Sequence, residues 1–146
     1  MRCLELTFRN KFNENEWLTL QAAPIWVFEV VAIADGKIDE EELEEVLNQS
    51  KNVIEYSTGF TYEVFRDHIV NVTNNNPKFR NLLKKNPLEG LKTVADLLGR
   101  LKHSEAQNFK KMLLKMAIKV ANSSDGVDKN EEKAIAIIMG ILDDIL

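Results

Sequence analysis

The chain of 146 residues and 16.7 kDa has the length of one domain, and we expect a single domain over residues 1–146. Because 45% of the residues are hydrophobic and 29% are charged, with 6 glycines and 1 cysteine, the composition excludes collagen-like, disulfide-stapled and wholly disordered chains. The net charge of -4 gives no global reason to bind nucleic acid or an anionic membrane. The lone Cys3, without a leader-like start, favours the cytoplasm.

Apolar residues recur at helical spacing almost throughout, which predicts an all-α bundle of about seven helices packed on one another. Residues 1–12 have no clear periodicity. In the third helix, a buried stripe is predicted by the spacing of Tyr62, Phe65, Ile69 and Val72. The predicted helices cover residues 14–34, 39–51, 61–74, 77–85, 87–102, 104–122 and 128–145.

Several of these predicted helices begin with capping chemistry. Asn76 and Asn86 each precede a proline, a residue that is favoured in the first turn of a helix. Ser104 is followed three residues later by Gln107, which is the spacing of a capping box. These residues predict starts for the fourth, fifth and sixth helices.

The segment 22–34 is apolar nearly all round and resembles a short membrane span. Its 13 residues include Glu29, whereas crossing a bilayer needs about 20 apolar residues. We therefore expect no transmembrane segment and interpret 22–34 as a central buried helix that Pro24 either starts or kinks.

The small net charge conceals two oppositely charged zones. Residues 35–65 carry nine acidic and two basic groups, and residues 66–115 carry eleven basic and four acidic groups. Acidic residues are densest in 35–45, with seven carboxylates and one lysine. The basic zone has no nucleic-acid motif, and its Phe79 and Phe109 fit a core better than a base-stacking surface. We expect protein partners or internal acid–base pairs rather than nucleic acid.

The acidic segment has an echo 89 positions later in the chain. Each unit ends one helix near an Asp-Gly dipeptide, places one apolar residue in the core and restarts on an aspartate cap. The dipeptides, Asp35-Gly36 and Asp125-Gly126, are offset by one residue. The matched residues are Val31, Ala32, Ile38, Asp39 and Glu42 with Val120, Ala121, Val127, Asp128 and Glu131.

The first unit also has the spacing of the second half of a calcium-binding EF-hand loop. Asp35, Asp39 and Glu42 fall on positions 5, 9 and 12 of that pattern, where oxygen atoms ligate a hard cation. Positions 1 and 3 are Val31 and Ile33, which have no side-chain oxygen. A true EF-hand is therefore not expected.

The residues from 30 to 42 and, more loosely, from 121 to 132 resemble the TerB-like tellurite-resistance family of all-helical bacterial proteins with two acidic loops. The resemblance implies binding of divalent cations, calcium especially, in metal or stress responses, with membrane association through partners. Carried over residue by residue, the implied metal ligands are Asp35, Asp39, Glu42, Asp125, Asp128 and Glu131.

Alternatives remain open at this point. Helix capping accounts for the same carboxylates without metal, and the chain is then a helical protein-interaction domain. An apolar ligand pocket near Trp17 and Trp26 is a further option, although core packing explains both residues more simply. His68 and His103 lack metal-ligand spacing, and no nucleophile or phosphate-loop motif is present, so we expect no enzyme.

Overall fold

The computed structural model describes residues 8–32, 40–122 and 129–143, and within these ranges all regular structure is helical, without strands. This confirms the predicted all-α bundle. A 3₁₀ turn at Phe8–Lys11 precedes the α-helices. The helices are α1 (Glu14–Ala32), α2 (Glu40–Tyr56), α3 (Gly59–Thr73), α4 (Pro77–Leu82), α5 (Pro87–Leu98), α6 (His103–Asn122) and α7 (Lys129–Asp143).

Helix α1 runs through the centre of the bundle, which confirms the central buried helix predicted from the apolar segment. Pro24 lies inside this helix and does not start it. Within the described ranges, no helix is long and apolar enough to cross a membrane. The residues of α1 without exposed surface are Leu20, Ala22, Ala23, Ile25, Trp26 and Val27.

Helix α5 packs antiparallel along α1. Just beyond the end of α5, the Arg100 guanidinium donates two hydrogen bonds, of 2.9 and 2.8 Å, to the Glu16 carboxylate in the first turn of α1. In the first turn of α5, a Cβ added to Gly90 would lie 2.6 Å from the indole ring of Trp26. The two helices approach this closely because Gly90 has no side chain.

Helix α6 runs parallel to α1. It begins at His103, three residues after Arg100, so it starts beside the first turn of α1. Near the same end, the Phe60 ring packs against both Trp17, at a centroid distance of 6.0 Å, and Phe109, at 5.2 Å. Because α6 then packs extensively along α1, both helices end at the opposite end of the bundle.

Helices α2 and α3 form a hairpin that a buried histidine ties to α1. His68 Nδ1 lies 2.9 Å from the backbone oxygen of Gln21, and His68 Nε2 lies 3.0 Å from Ser50 Oγ. Since a carbonyl oxygen only accepts, Nδ1 carries the proton and Nε2 accepts from the hydroxyl of Ser50. Ser50 and His68 have no exposed surface, and burial lowers the pKa of His68 to about 4.

The first turn of α3 is completed by a residue of α6. The Thr58 side chain makes no capping hydrogen bond, and the Phe60 backbone N–H donates to the Glu105 carboxylate at 3.2 Å. Gly59 has a φ of +63°, and a Cβ there would lie 2.8 Å from a Glu105 oxygen. Glycine at this position therefore satisfies both the backbone conformation and the lack of space.

Two predicted helix starts are confirmed, and a third is wrong. The side chains of Asn76 and Asn86 accept hydrogen bonds from the first backbone N–H groups of α4 and α5. Ser104 does not begin α6, because the helix starts at His103 and places Ser104 within its first turn.

The predicted helix ends are less accurate. Helix α2 continues to Tyr56, five residues past its predicted end, because Val53 extends its buried face. Helices α4 and α5 end at Leu82 and Leu98, before their predicted ends. After each helix, backbone N–H groups donate to the carbonyl oxygen three residues earlier, as Gly99 does to Asp96, which is the tighter pattern of a 3₁₀ turn.

The buried face of α3 is rotated from the predicted stripe. Phe65 has no exposed surface, as expected, but Tyr62 is 36% exposed and Val72 is half-buried. Thr61 and His68 face the core instead. A pattern of apolar residues misses this face because two of its members are polar.

The echo in the sequence extends into the helices on either side. Val31 of α1 and Val120 of α6 are both buried, as are Val53 of α2 and Leu142 of α7, and each pair is separated by 89 positions. The units α1–α2 and α6–α7 therefore share some buried positions but not all, since Ser50 is buried and Met139, 89 positions later, is 44% exposed.

Candidate functional site

The structure describes one side chain among the six predicted metal ligands. Glu42 is half-buried in the first turn of α2, and Glu131 lies in the first turn of α7, where only the backbone is described. The other four, Asp35, Asp39, Asp125 and Asp128, lie outside the described residues.

The helices that precede the two acidic segments end at the same end of the bundle. Segment 33–39 follows α1 and segment 123–128 follows α6, and these two helices are parallel. Helix α2 returns from this end, because its last residue, Tyr56, lies three positions before Gly59, which approaches Glu105 in the first turn of α6. We call this end of the bundle the acidic end.

The first turn of α2 brings Glu40, Glu41 and Glu42 to the acidic end. Carboxylates in a first turn are stabilised by the partial positive charge of the helix N-terminus. Among the described residues, no three His, Cys, Asp or Glu side chains are grouped closely enough to hold a metal ion.

Glu29 is a buried carboxylate that was not among the predicted ligands. It lies one turn before the end of α1 and is 8% exposed, and its Oε1 has no hydrogen-bond partner among the described residues. Burial raises the pKa of Glu29 to about 7, because desolvation penalises the charged form. Its signal in the sequence is a single acidic residue inside the apolar segment 22–34.

A groove of about 730 Å³ opens between α2 and α6, and we call it the α2–α6 groove. Val53 and Met116 are buried at its base, and Met112 is half-buried. Tyr56 is 83% exposed and Ile118 is 47% exposed beside it. The polar lining residues are Gln49, Asn52, Lys115 and Lys119.

The charged residues that line the α2–α6 groove are lysines of α6, and acidic residues of α2 lie before the part of that helix that lines the groove. On α2, the exposed Glu41 and Glu45 continue the row of Gln49 at helical spacing, and on α6 the exposed Lys115 and Lys119 line the groove. Within the ranges that the structure describes, none of these four charged side chains forms an ion pair.

Trp17 and Trp26 have separate surroundings. Trp26 has no exposed surface and packs on Gly90. Trp17 is 2% exposed, lines a small polar cavity of about 240 Å³, and donates from Nε1 to Asp67 at 2.9 Å. The apolar groove therefore lies away from both tryptophans, between α2 and α6, and the sequence analysis did not predict that these two helices are neighbours.

The Ser50–His68 contact has the donor–acceptor arrangement of a nucleophile and its base. Both residues are fully buried, so a substrate has no route to Ser50 Oγ in this conformation. We interpret the pair as structural, and His103 is exposed.

Part of the basic zone is matched within the chain. Lys78 pairs with Glu14 at 3.1 Å and Arg100 with Glu16 at 2.8 Å, and both pairs join α1 to the helices that follow α3. Phe79 and Phe109 are buried, which confirms that they are core residues. Exposed ion pairs of this kind contribute little stability, so their main effect is to reduce the free positive charge.

Comparison with known proteins identifies a relative of this chain. The chain is 50% identical over 139 residues to a protein of Methanothermobacter thermautotrophicus described as "Uncharacterized protein ORF11'", and the match covers 94% of each chain. No protein-family model matches the sequence. No solved structure matches it either.

Proposed function

The chain belongs to the family of the Methanothermobacter thermautotrophicus protein ORF11', and we propose that it is a TerB-like helical module that binds divalent cations at the acidic end. Calcium is the expected cation, and the module acts by binding rather than catalysis, in a metal or stress response with protein partners. The proposed ligands are Asp35, Asp39, Glu42, Asp125, Asp128 and Glu131.

The parallel packing of α1 and α6 is the observation that carries this proposal. Each helix is followed in the chain by one acidic segment, and the two helices end at the same end of the bundle. Calcium takes about six to eight oxygen ligands. A single segment provides only three if each of its three proposed carboxylates makes one contact. Two such clusters also repel each other at short range, and a bound cation removes that repulsion.

Helix capping by the same carboxylates is the competing interpretation. The first turn of α2 holds Glu40, Glu41 and Glu42, which the helix dipole stabilises without metal. The interpretations differ in one measurable respect, because capping gives no saturable response to added cation.

A calcium titration followed by backbone NMR tests the proposal. We expect saturable shifts at residues flanking both acidic segments, reversed by EDTA. Asp39→Asn and Asp128→Asn should each weaken the apparent affinity by about tenfold or more, because each removes a charged ligand. Glu55→Gln is the matched control, since Glu55 is an exposed carboxylate at the far end of α2 and its loss should leave the titration unchanged.

The response of both segments in each variant is the decisive result. If the segments share a cation, Asp128→Asn should weaken the shifts next to residues 33–39 as well as those next to 123–128. Absence of saturable shifts at millimolar calcium would overturn the proposal and leave the carboxylates as helix caps. Equal affinity in wild type and both asparagine variants would do the same.

A further inference from the structure

We propose that the α2–α6 groove docks an acidic amphipathic helix of a partner protein, with the apolar residues of that helix on the base of the groove and its carboxylates beside Lys115 and Lys119. The inference deepens the proposed function, because it gives the chemistry of the protein partner and rests on the module having one. It does not depend on cation binding. The chemistry and the length of the groove carry it.

The base of the groove is apolar and adaptable. Val53 and Met116 are buried there and Met112 is half-buried, whereas Tyr56 and Ile118 beside them are 83% and 47% exposed. Exposed apolar residues that group together are typical of protein-binding surfaces, and methionine side chains adapt their shape to the group that packs on them. Tyrosine often contributes much of the binding energy when an interface buries it. The groove therefore suits the apolar face of a partner.

The groove is as long as two turns of a helix. Its lining residues run from Gln49 to Tyr56 on α2 and from Met112 to Lys119 on α6. Each run rises by about 10 Å along its helix. Apolar residues at positions i, i+4 and i+7 of a docked helix span the same distance, and this spacing is the usual recognition pattern of a helix in a groove. A partner helix can therefore keep its apolar face on the groove from one end to the other.

The charges of the lining select an acidic partner. The charged lining residues are Lys115 and Lys119, which are exposed on the α6 side and form no ion pair within the described ranges. A basic helix would place like charges beside these lysines, whereas an acidic helix pairs with them. Glu45 lies one turn before Gln49 on α2, outside the lining. The carboxylates of the partner therefore belong on the flank that faces α6.

A buried acceptor in the lining favours a peptide over a fatty acid. Gln49 is 5% exposed, its Nε2 donates to Glu45 at 3.1 Å, and its Oε1 has no hydrogen-bond partner among the described residues. A buried acceptor without a donor costs free energy, so the best occupant brings a donor. An ionised fatty acid matches the lysines and the apolar base, but its carboxylate only accepts. A helix can supply a donor from a serine, threonine, asparagine or glutamine side chain.

A display selection on the whole chain tests the class of partner. The probe is a library of peptides of about 20 residues, with an alanine-rich helical background and random residues along one face. We expect the enriched peptides to carry apolar residues at i, i+4 and i+7 and acidic residues on one flank, both in EDTA and in calcium. Enrichment of basic or neutral peptides would overturn the inference, and so would a selection that enriches no sequence pattern.

Charge reversal tests the pairing with the lysines. K115E/K119E should weaken the affinity for the strongest enriched peptide by about tenfold or more in a calorimetric titration. The same peptide with lysines in place of its acidic residues should bind K115E/K119E more tightly than wild type. K84E/K85E is the control, because these exposed lysines follow α4, outside the lining, and its affinity should equal that of wild type. A K115E/K119E chain that keeps the wild-type preference for the acidic peptide would overturn the inference.

A pair of tyrosine variants tests whether the peptide lies in the groove. Tyr56→Ala should weaken the affinity by about tenfold or more, as for an aromatic anchor. The matched control is Tyr62→Ala, since Tyr62 is a partly exposed tyrosine on α3 outside the lining, and its loss should leave the affinity unchanged. Equal affinities in the two variants would place the peptide elsewhere and overturn the inference.

The outcomes separate this inference from cation binding and from other occupants. A chain that shows calcium shifts but enriches no acidic helix overturns the docking site alone. Peptide binding as expected in EDTA, by a chain without calcium shifts, supports the docking site and overturns cation binding. A dimer that Tyr56→Ala converts to a monomer in sedimentation velocity identifies a second copy as the occupant and overturns the inference. Saturable binding of decanoate to a chain that enriches no peptide does the same.

Discussion

Two titratable side chains in the core, Glu29 and His68, are held in their neutral forms by burial. Burial raises the pKa of Glu29 from 4.5 to about 7 and lowers the pKa of His68 from 6.5 to about 4. Unfolding therefore takes up a proton at His68 below pH 6.5 and releases one from Glu29 above pH 4.5. Between these pH values the effects of His68 and Glu29 on the pH dependence of the unfolding free energy have opposite signs and largely cancel.

His68→Gln should expose the contribution of the histidine. Since the fold favours neutral His68, the contribution of His68 to the free energy of unfolding is intact above pH 6.5 and is lost as the pH falls towards 4. We expect the variant to be less stable than wild type at pH 7, with the deficit shrinking by about 2 to 3 kcal/mol by pH 4.5. Urea denaturation across this range measures it, with the exposed His103→Gln as control. A deficit that does not vary with pH would contradict the prediction.

Glu29→Gln should act with the opposite pH dependence. The folded carboxyl group stays protonated up to about pH 7, whereas the unfolded one ionises from about pH 4.5, so wild-type stability is lost as the pH rises through this range. We expect the variant to match wild type near pH 4.5 and to exceed it by about 1 to 3 kcal/mol at pH 8. The exposed Glu55→Gln serves as control in the same denaturation series. A variant less stable than wild type at pH 8 would refute this prediction.

Among the helices, sequence reasoning succeeded where the stabilising chemistry is local. Asn76 and Asn86 cap α4 and α5 with their own side chains, so adjacent residues are sufficient to predict those starts. The start of α3 was predicted two residues late, because the group that satisfies Phe60 N–H is Glu105, which lies on α6. Capping by a distant residue leaves no local pattern.

The α2–α6 groove was missed for a related reason. Its two walls are about sixty residues apart in the chain. A gap between two helices cannot be predicted from the sequence of either helix. The predicted end of α2 at residue 51 leaves Tyr56 outside the helix, whereas the helix continues to Tyr56. For the acidic end, by contrast, the two acidic segments are visible in the sequence, and only the packing of α1 on α6 shows that the helices before them end at the same end of the bundle.

Helix packing predicts opposite effects for alanine at two glycines. In Gly90→Ala the new methyl group would meet the Trp26 ring at 2.6 Å, so α1 and α5 must shift, at a cost of about 1 to 3 kcal/mol. In Gly140→Ala no described atom lies within 4 Å of the new methyl group, so α7 should gain about 0.5 to 1 kcal/mol from helix propensity. Thermal denaturation compares the two variants, and similar melting temperatures would disprove the α1–α5 contact.

In the molecule as a whole, α1 is the element that the other helices enclose. It packs against α3, α5, α6 and α7, and most of its residues from 17 to 29 are buried. The chain therefore has one core, and the helix that forms its centre cannot open without disturbing its neighbours on every side.

Hydrogen exchange should show this dependence. Amides in the middle of α1 should exchange only through global unfolding, so their opening free energy should equal the free energy of unfolding and fall with the same dependence on urea. Amides of the six-residue helix α4, where Phe79 is the buried residue, should exchange through smaller openings. Exchange in α1 that is independent of urea would show that the helix opens locally.

The hydrogen bond from Phe60 to Glu105 spans 45 residues and sets an order of assembly. During synthesis, α3 leaves the ribosome well before α6, and its first turn lacks a side-chain acceptor until His103–Asn122 has formed and docked. A nascent chain that stops before α6 keeps an incomplete α3 and leaves Phe60 without the Phe109 ring. Completion of the N-terminal half is thus a late event that waits for the C-terminal half.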